Sequence, residues 1–313
     1  MSLFSNLKWR YLRYRVSLDN HNLKGYVLPS IIFSFITIAL VVAYKFLQYT
    51  SLWTNWKAAE NNALTFCEHN RVTEAIVQPA NTWSNFGFLM VGLLLVFIGI
   101  NDLKIRKPSS NNLLVRYPGF SILLGASCIY LFFGSFLYHA SLSYFFQKLD
   151  ITGMYAVVLS LIAYNLFRLF PTRYAKLKKN YASNHHVIIV AAVLFNLVFF
   201  AGLWKVNVNV LFPAAIIVLM IINIFYNRSQ GQFSKLYRYL FHLSIIVLLF
   251  STTLWILDRQ DIWCIPTSIW QGHALWHILN ATSIFILYMC YRTETLDVEL
   301  LYKDKEHLYH NFK

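Results

Sequence analysis

Eight long runs of apolar residues constrain the fold of this chain more than any other feature of its sequence. A helix needs about 20 consecutive apolar residues to cross the hydrocarbon core of a bilayer, where every backbone polar group must be hydrogen-bonded within the protein. Runs of this length, separated by short polar loops, predict an all-α fold, a polytopic membrane helix bundle. The predicted spans are residues 29–49, 81–100, 118–138, 150–171, 186–203, 208–226, 239–257 and 272–291.

The composition of the chain agrees with this interpretation and excludes an ordinary soluble domain. Hydrophobic residues make up 58% of the sequence and charged residues only 13%, whereas about 25% of the residues of an average soluble domain are charged. The formal net charge is +14, which in a soluble protein would suggest a nucleic-acid partner. In a membrane protein the same excess is expected in the cytoplasmic loops, and we predict no nucleic-acid partner.

The basic residues alternate from side to side along the chain. Of the 27 Lys and Arg residues, twenty-one lie in the two termini and in every second loop, if Arg168 at the end of the fourth span is counted with the loop that follows it. Five lie in the intervening loops, and Lys45 lies within the first span. The positive-inside rule then predicts that both termini are cytoplasmic, which requires an even number of spans.

Ionisable and hydroxyl side chains at membrane depth are costly, so each of them points to a function. They gather at the end of the third span (Ser135 and His139), at the start of the fourth (Asp150) and at the start of the eighth (His273 and His277). The loop count puts all three of these ends on the non-cytoplasmic side. Segments that are distant in sequence are therefore expected to place these side chains at a similar depth in the membrane.

The spacing of the histidines predicts a metal site. His273 and His277 are one helical turn apart, so their imidazoles share one face of a helix and can bind a single metal ion. His139 would complete a three-histidine set with an open position for water, the arrangement typical of catalytic zinc. Asp150 could then accept a proton from that water. The alternative is that the three histidines only form hydrogen bonds to neighbouring helices.

Five short motifs occur in a fixed order along the chain. They are Glu68-x-Asn70, Asn81-Thr82-x-Ser84-Asn85, Gly134-Ser135-x-x-x-His139, Gln147-x-x-Asp150-x-x-x-Met154 and His273-x-x-x-His277. In this order and spacing they resemble the alkaline ceramidases, which belong to a superfamily of seven-helix membrane hydrolases that also contains the adiponectin-type receptors. The resemblance covers approximately residues 66–291, most of the chain.

Together with the loop count, the resemblance implies a division of the chain into four parts. Residues 51–291 would form a ceramidase-like seven-helix core, and residues 28–50 an additional N-terminal transmembrane helix. Residues 1–27 and 292–313 would form cytoplasmic tails. The active site would then lie toward the periplasm or an organelle lumen, in a bacterial inner membrane or in the endoplasmic reticulum or Golgi.

The resemblance also implies the chemistry of the site. A zinc ion would be held by His139, His273 and His277, with Asp150 as general acid and base on the zinc-activated water and Ser135 as the stabiliser of the oxyanion. The implied reaction is hydrolysis of ceramide, or of a related N-acyl sphingoid lipid drawn from the membrane. Its products are a fatty acid and a sphingoid base.

The match departs from the family at a calcium site. The family builds that site from an Asp-Trp-x-Glu-x-Asn segment and a later Glu, whereas this chain has Gln78 at the later position and keeps only Glu68 and Asn70 as ligands. Two carboxylates are lost, unless Glu74 substitutes for one of them. Because calcium affinity depends on ligand charge, the sequence disfavours calcium at this second site.

The family also has a disulfide comparable to a bridge between Cys67 and Cys264. Both cysteines lie on the predicted outer side, where an oxidising compartment would permit the bond. The alternative is two unrelated buried thiols.

Two other classes of protein remain open at the level of sequence. A receptor-like member of the superfamily, or a lipid hydrolase with a substrate other than ceramide, would keep the same metal ligands. A membrane protein that binds a metal or haem without hydrolysis would use the same histidines. A haem protein would absorb visible light strongly, whereas a zinc hydrolase would have no chromophore.

Overall fold

A computed structural model gives the fold of the chain. It describes residues 24–60, 66–105, 112–173, 181–202, 204, 208–230 and 234–294. Across those residues the secondary structure is α-helical, without a β-strand beyond one isolated bridge between Ala58 and Ser143. The helices are α1 (Lys24–Leu47), α2 (Pro79–Ser84), α3 (Phe86–Ile105), α4 (Leu113–Arg116), α5 (Gly119–Ser141), α6 (Tyr144–Arg173), α7 (Tyr181–Ala201), α8 (Val208–Gln230), α9 (Lys235–Arg259) and α10 (Gly272–Arg292).

Each predicted span falls on helical structure, with the second span divided between α2 and α3, and the predicted all-α polytopic bundle is confirmed. By length and composition, seven stretches of the described residues are able to cross a membrane. An eighth stretch, His185–Ala201 in α7, is apolar but shorter. The seven are Val27–Leu47, Pro79–Ile105, Gly119–Ser141, Tyr144–Leu169, Val210–Arg228, Lys235–Arg259 and Gly272–Arg292.

The core of the bundle lies between α3, α5, α6 and α10, where a large cluster of buried side chains includes Phe88, Phe132 and Phe167. Helix α5 packs along both α3 and α6, and α9 packs along α10. Helix α1 lies outside this core against α3, with the rings of Phe33 and Phe86 in edge contact. Its outer face is apolar and exposed, as expected for a surface in contact with lipid, and the Phe35 side chain is 73% exposed.

The structure corrects the position of Arg168, which the sequence count assigned to a loop. Arg168 lies inside α6 and is fully buried, with Nη2 3.1 Å from Glu294 Oε1. Three tyrosine rings, those of Tyr164, Tyr226 and Tyr291, surround the guanidinium group. Arg168 therefore does not belong to the loop charges, although the alternation of the remaining basic residues is unchanged. Most of the predicted tails, residues 1–27 and 292–313, lie outside the described residues.

Candidate metal centre

Three buried histidines converge at one end of the bundle. His139 lies in the last turn of α5, and His273 and His277 lie in the first two turns of α10. One ligand nitrogen from each ring lies within 4.8 Å of the other two, and Nε2 of His139 is 3.1 Å from Nε2 of His273. Two nitrogens bound to one tetrahedral zinc ion at about 2.0–2.1 Å would be roughly 3.3 Å apart. The geometry of the three rings is thus compatible with one zinc ion.

The hydrogen bonds of two of these histidines fix which nitrogen carries the proton. Gln78 Nε2 donates to Asn70 Oδ1 (2.7 Å), so Gln78 Oε1 accepts the N–H of His139 Nδ1, also at 2.7 Å. Ser84 Oγ donates to a backbone carbonyl oxygen of its own helix, α2, at 2.9 Å. It therefore accepts from His277 Nδ1, 2.7 Å away. Both rings keep the Nε2 lone pair free for a metal ion.

His273 is held through its backbone and its ring faces. Asp258, near the end of α9, accepts the backbone N–H of His273 at 3.1 Å and that of Cys67 at 3.2 Å. The ring of Trp276 stacks on His273 with centroids 5.3 Å apart, and Phe66 lies over it at 4.2 Å. Nδ1 of His273 is buried and has no hydrogen-bond partner within the described residues. The position of this ring therefore depends on packing and on the start of α10.

Ser135 and Asp150 form the second polar pair of the site. A side-chain hydrogen bond joins Ser135 to the carboxyl group of Asp150. The two helices approach closely here because α5 carries Gly134: a Cβ atom at this position would lie 2.7 Å from the Leu149 carbonyl and 2.8 Å from Asp150 N. Asp150 does not belong to the group of three close metal-ligand atoms. The pair can therefore handle protons beside the histidines rather than serve as a ligand.

An apolar cavity lies directly beneath these groups, between α3, α5, α6, α8, α9 and α10. Trp276, which stacks on His273, and Phe88, whose ring contacts His277, both line it. Leu131 and Met154, one helical turn from Ser135 and Asp150, also line it. The opposite end is bordered by a few polar side chains, among them Asn223 and Ser244. The lining is almost entirely apolar, as is typical of cavities that bind apolar ligands.

Glu68 and Asn70, the two retained positions of the family calcium site, both hydrogen-bond within the protein. Glu68 caps the start of α2, because its two carboxylate oxygens accept the backbone N–H groups of Ala80 at 2.6 Å and Asn81 at 2.8 Å. Burial raises the pKa of Glu68 above its usual range, and these two hydrogen bonds oppose that effect. Asn70 Oδ1 accepts from Gln78.

The predicted disulfide between Cys67 and Cys264 is confirmed. It ties the segment before α2 to the loop between α9 and α10, one residue from the ring of Phe66. Cys128 and Cys290 are free and buried. The segment that carries Glu68 is thereby held over the three histidines.

The structure brings together all five predicted site residues, three histidines in one group and Ser135 with Asp150 in a neighbouring pair. Sequence reasoning gave no role to Ser84 or Phe66, and it considered Gln78 only as a lost calcium ligand. It also missed Asp258 as a cap on α10. A signal was available for two of them: Ser84 lies within one of the five motifs, and Asp258 is an acidic residue next to an apolar span.

The chain was compared with known protein families and with individual proteins. The family model described as Ceramidase matches residues 58–313, more than three-quarters of the chain. The match begins after helix α1 and contains every residue of the candidate metal centre. No curated protein matches the chain.

Proposed function

Because this chain belongs to the ceramidase family, whose members are hydrolases acting on amide bonds, we propose that it is a zinc-dependent intramembrane hydrolase of ceramide or a related N-acyl sphingoid lipid. The proposal rests on the position of three groups of residues relative to one another. Three buried histidines with converging nitrogens and a Ser135–Asp150 pair lie next to the residues that line one side of an apolar cavity.

The donor set suits zinc. Three imidazoles are the protein ligands of many catalytic zinc sites, which keep a fourth position open for water or substrate. The hydrogen bonds that His139 donates to Gln78 and that His277 donates to Ser84 supply the outer partners that such histidines need. When bound, the ion would supply Lewis acidity, which activates water and polarises the carbonyl group of the amide.

Asp150 would move the protons of the reaction. Its carboxylate accepts a proton from the attacking water as the water adds to the amide carbon, and then donates it to the leaving nitrogen of the sphingoid base. Both transfers need a carboxylate close to the histidines that is not itself a ligand, and Asp150 lies outside the close ligand group. We therefore assign it as general base and general acid.

Ser135 would donate a hydrogen bond that strengthens as the reaction proceeds. Its hydroxyl group is buried and paired with Asp150. With a substrate in place, the same hydroxyl can turn to the carbonyl oxygen, on which negative charge develops. The hydroxyl group would thereby exchange its hydrogen bond with Asp150 for one to the developing oxyanion.

The apolar cavity would hold the hydrocarbon chains of the substrate and exclude water from them. Because these chains come from the bilayer, which is as apolar as the cavity, their transfer brings no large hydrophobic gain, and the lining would serve to orient the amide toward the histidines. Among the residues that line the cavity, the polar groups are few. This favours a lipid amide over a soluble peptide as substrate.

We also propose that the site faces the non-cytoplasmic side. The basic residues are concentrated in the termini and in alternate loops, and the three histidines lie at the ends of helices on the other side. A disulfide on that side agrees with an oxidising compartment. In sealed vesicles with the cytoplasmic face inside, a tag after Lys313 is expected to resist protease until the membrane is permeabilised.

Fatty-acid release by the purified protein tests the proposed activity. We expect release from a panel of N-acyl sphingoid bases. Asp150→Asn should lower kcat by about 10²- to 10⁴-fold, because proton transfer is lost. Ser135→Ala should lower kcat by about 10²- to 10³-fold, because one oxyanion donor is lost.

Zinc content is the control for both substitutions. It should stay near one ion per chain in each variant, since neither residue belongs to the histidine group. Release of no fatty acid from any lipid amide by zinc-loaded wild type would contradict the proposal. A strong visible chromophore in the purified protein would instead favour a haem protein.

A further inference from the structure

Gln78 joins the segment before α2 to the metal ligand His139. Its backbone N–H donates to the carbonyl oxygen of His139 at 3.1 Å, while its side-chain Oε1 accepts from Nδ1 of the same residue at 2.7 Å. Gln78 and His139 are both completely buried. One residue therefore restrains both the backbone and the ring of a histidine in the last turn of α5.

The orientation of the Gln78 amide is itself fixed. Its Nε2 donates to Asn70 Oδ1 at 2.7 Å, and its Oε1 also accepts a bond of 3.3 Å from Asn81 Nδ2. Rotating the amide by half a turn would break these bonds and would face two N–H donors toward each other at His139. Hydrogen bonds are thus donated from His139 to Gln78 and from Gln78 to Asn70, and this direction leaves the lone pair of His139 on Nε2, where a metal ion can bind.

The same atoms do not fit calcium. Calcium takes six to eight oxygen ligands, with carboxylates as the main source of charge. Here both carboxylate oxygens of Glu68 accept backbone N–H groups, and Asn70 Oδ1 accepts from Gln78. The Glu74 carboxylate lies 3.7 Å from the guanidinium group of Arg71. Gln78 brings an N–H donor to a position where the family has a carboxylate.

We propose that Gln78 is a positioning residue that replaces calcium in this chain. Its amide links the segment held by Glu68 and the Cys67–Cys264 disulfide to His139, so that the affinity for zinc does not depend on calcium. This inference rests on the proposed function, because a role in positioning a zinc ligand matters only if the histidines bind zinc. It concerns metal binding alone and does not require hydrolysis.

Zinc affinity of the full-length protein in detergent tests the inference. The metal is removed, and the dissociation constant is measured by competition with a chromophoric chelator. Gln78→Leu keeps the size of the side chain but loses its acceptor, and we expect a dissociation constant raised about 10- to 100-fold. Gln78→Glu keeps an acceptor for the Nδ1–H of His139 and is expected to stay within a few-fold of wild type.

Gln147→Leu is the matched control. Gln147 Oε1 accepts the backbone N–H of Glu60 at 3.1 Å, a bond that involves no histidine, so this variant should bind zinc like wild type. Cobalt substitution adds a second readout, since the visible spectrum of Co²⁺ reports the geometry of its ligands. That spectrum should change in Gln78→Leu and stay constant in Gln147→Leu.

The predicted independence from calcium is tested with the wild-type protein. Its zinc affinity should change less than two-fold between excess EGTA and millimolar calcium, and a larger calcium dependence would overturn the inference. Tight zinc binding by Gln78→Leu would overturn it as well. If Gln78→Leu does not fold, Asn70→Ala serves as the second variant. It removes the acceptor of the Gln78 side-chain amide and leaves His139 unchanged. We expect it to raise the dissociation constant for zinc, by a smaller factor than Gln78→Leu. Zinc binding without hydrolysis would defeat the proposed function and leave this inference intact.

Discussion

Ser84 and His277 are 193 residues apart in sequence, yet the hydroxyl oxygen of one lies 2.7 Å from Nδ1 of the other. The hydrogen of that hydroxyl is used by a backbone carbonyl oxygen in α2, so the oxygen can only accept from the imidazole. Ser84 thereby selects the neutral form of His277 in which Nε2 can bind a metal ion. An outer partner of this kind raises the basicity of the ligand and fixes its orientation.

Substitution of Ser84 should therefore weaken metal binding without unfolding the protein. We expect Ser84→Ala to raise the dissociation constant for zinc by about 10-fold or more, measured by chelator competition. Ser283→Ala is the matched control, because Ser283 lies on the same helix as His277 but donates to the Ser244 carbonyl oxygen. Equal zinc affinity of these two variants would contradict the assigned role of Ser84.

The three histidines of the candidate metal centre could be identified from the sequence, whereas their hydrogen-bond partners could not. His273 and His277 share a helix face because of their spacing alone. Gln78, 61 residues from His139, becomes its partner only because the segment before α2 folds back along the end of α5. Spacing on one helix is a local property, but the pairing of separate segments depends on packing of the whole bundle.

Among the helices, the contact of α5 with α6 determines the position of the Ser135–Asp150 pair. Gly134 allows the backbone of α5 to approach that of α6 at Leu149 and Asp150. We expect Gly134→Ala to lower the free energy of unfolding by about 1–3 kcal/mol, because its methyl group would meet backbone atoms. The variant should also lose fatty-acid release, as Ser135 is moved away from Asp150. Thermal unfolding in detergent and the lipid-amide assay measure the two effects.

Gly202→Ala provides the control for this prediction. Among the described residues, a Cβ atom at Gly202 would meet no atom within 4 Å, so the same chemical change should leave stability nearly unaltered. If both alanine variants unfolded at the wild-type temperature, close packing at Gly134 would not be what positions Asp150.

The Cys67–Cys264 disulfide links the segment before α2 to the loop between α9 and α10. Its loss is expected to loosen that segment, which lies over the three histidines. In the native protein, neither Cys67 nor Cys264 should react with an alkylating reagent, and after reduction both should react. Reduction should also weaken zinc binding, because Cys67 lies between Phe66, which covers His273, and Glu68, which caps α2. Free alkylation of both thiols before reduction would contradict the bridge. Mass spectrometry of the alkylated peptides distinguishes these outcomes.

Hydropathy predicted where helices exist but not where they begin and end. Helix α6 starts at Tyr144, six residues before the predicted span, because helical hydrogen bonding continues through Gln147 and Lys148 beyond the apolar stretch. The second predicted span is divided at Asn85 into α2 and α3. Apolar length reports the membrane core, whereas caps and side-chain partners determine the helix ends.

At the scale of the whole molecule, the two ends of the bundle carry different chemistry. One end has the three histidines of the candidate metal centre, and the other has the ion pair of Arg168 and Glu294, both almost completely buried. Asn223 lines the cavity and also contacts Arg168 at 3.2 Å. The ion pair therefore lies behind the end of the cavity that is distant from the histidines, where it joins α6 to the residues that follow α10. It was not predicted, because Arg168 near a span end resembles a loop charge.

Removal of one partner of this pair should destabilise the bundle strongly. Glu294→Gln leaves the buried guanidinium group without a counter-charge, and such changes cost about 3–5 kcal/mol. The exposed pair of Arg71 and Glu74 is the comparison, because Arg71→Met should cost less than about 1 kcal/mol. Chemical unfolding of the detergent-solubilised protein measures both losses.

A double-mutant cycle separates the ion pair from the packing around it. Arg168→Met removes the charge that Glu294→Gln leaves unpaired, so the double variant should lose less stability than the sum of the two single losses. For residues in one network we expect a coupling of about 2 kcal/mol. Strict additivity would mean that the two side chains act independently. The closure of this end of the bundle would then depend on the surrounding tyrosines and asparagines instead.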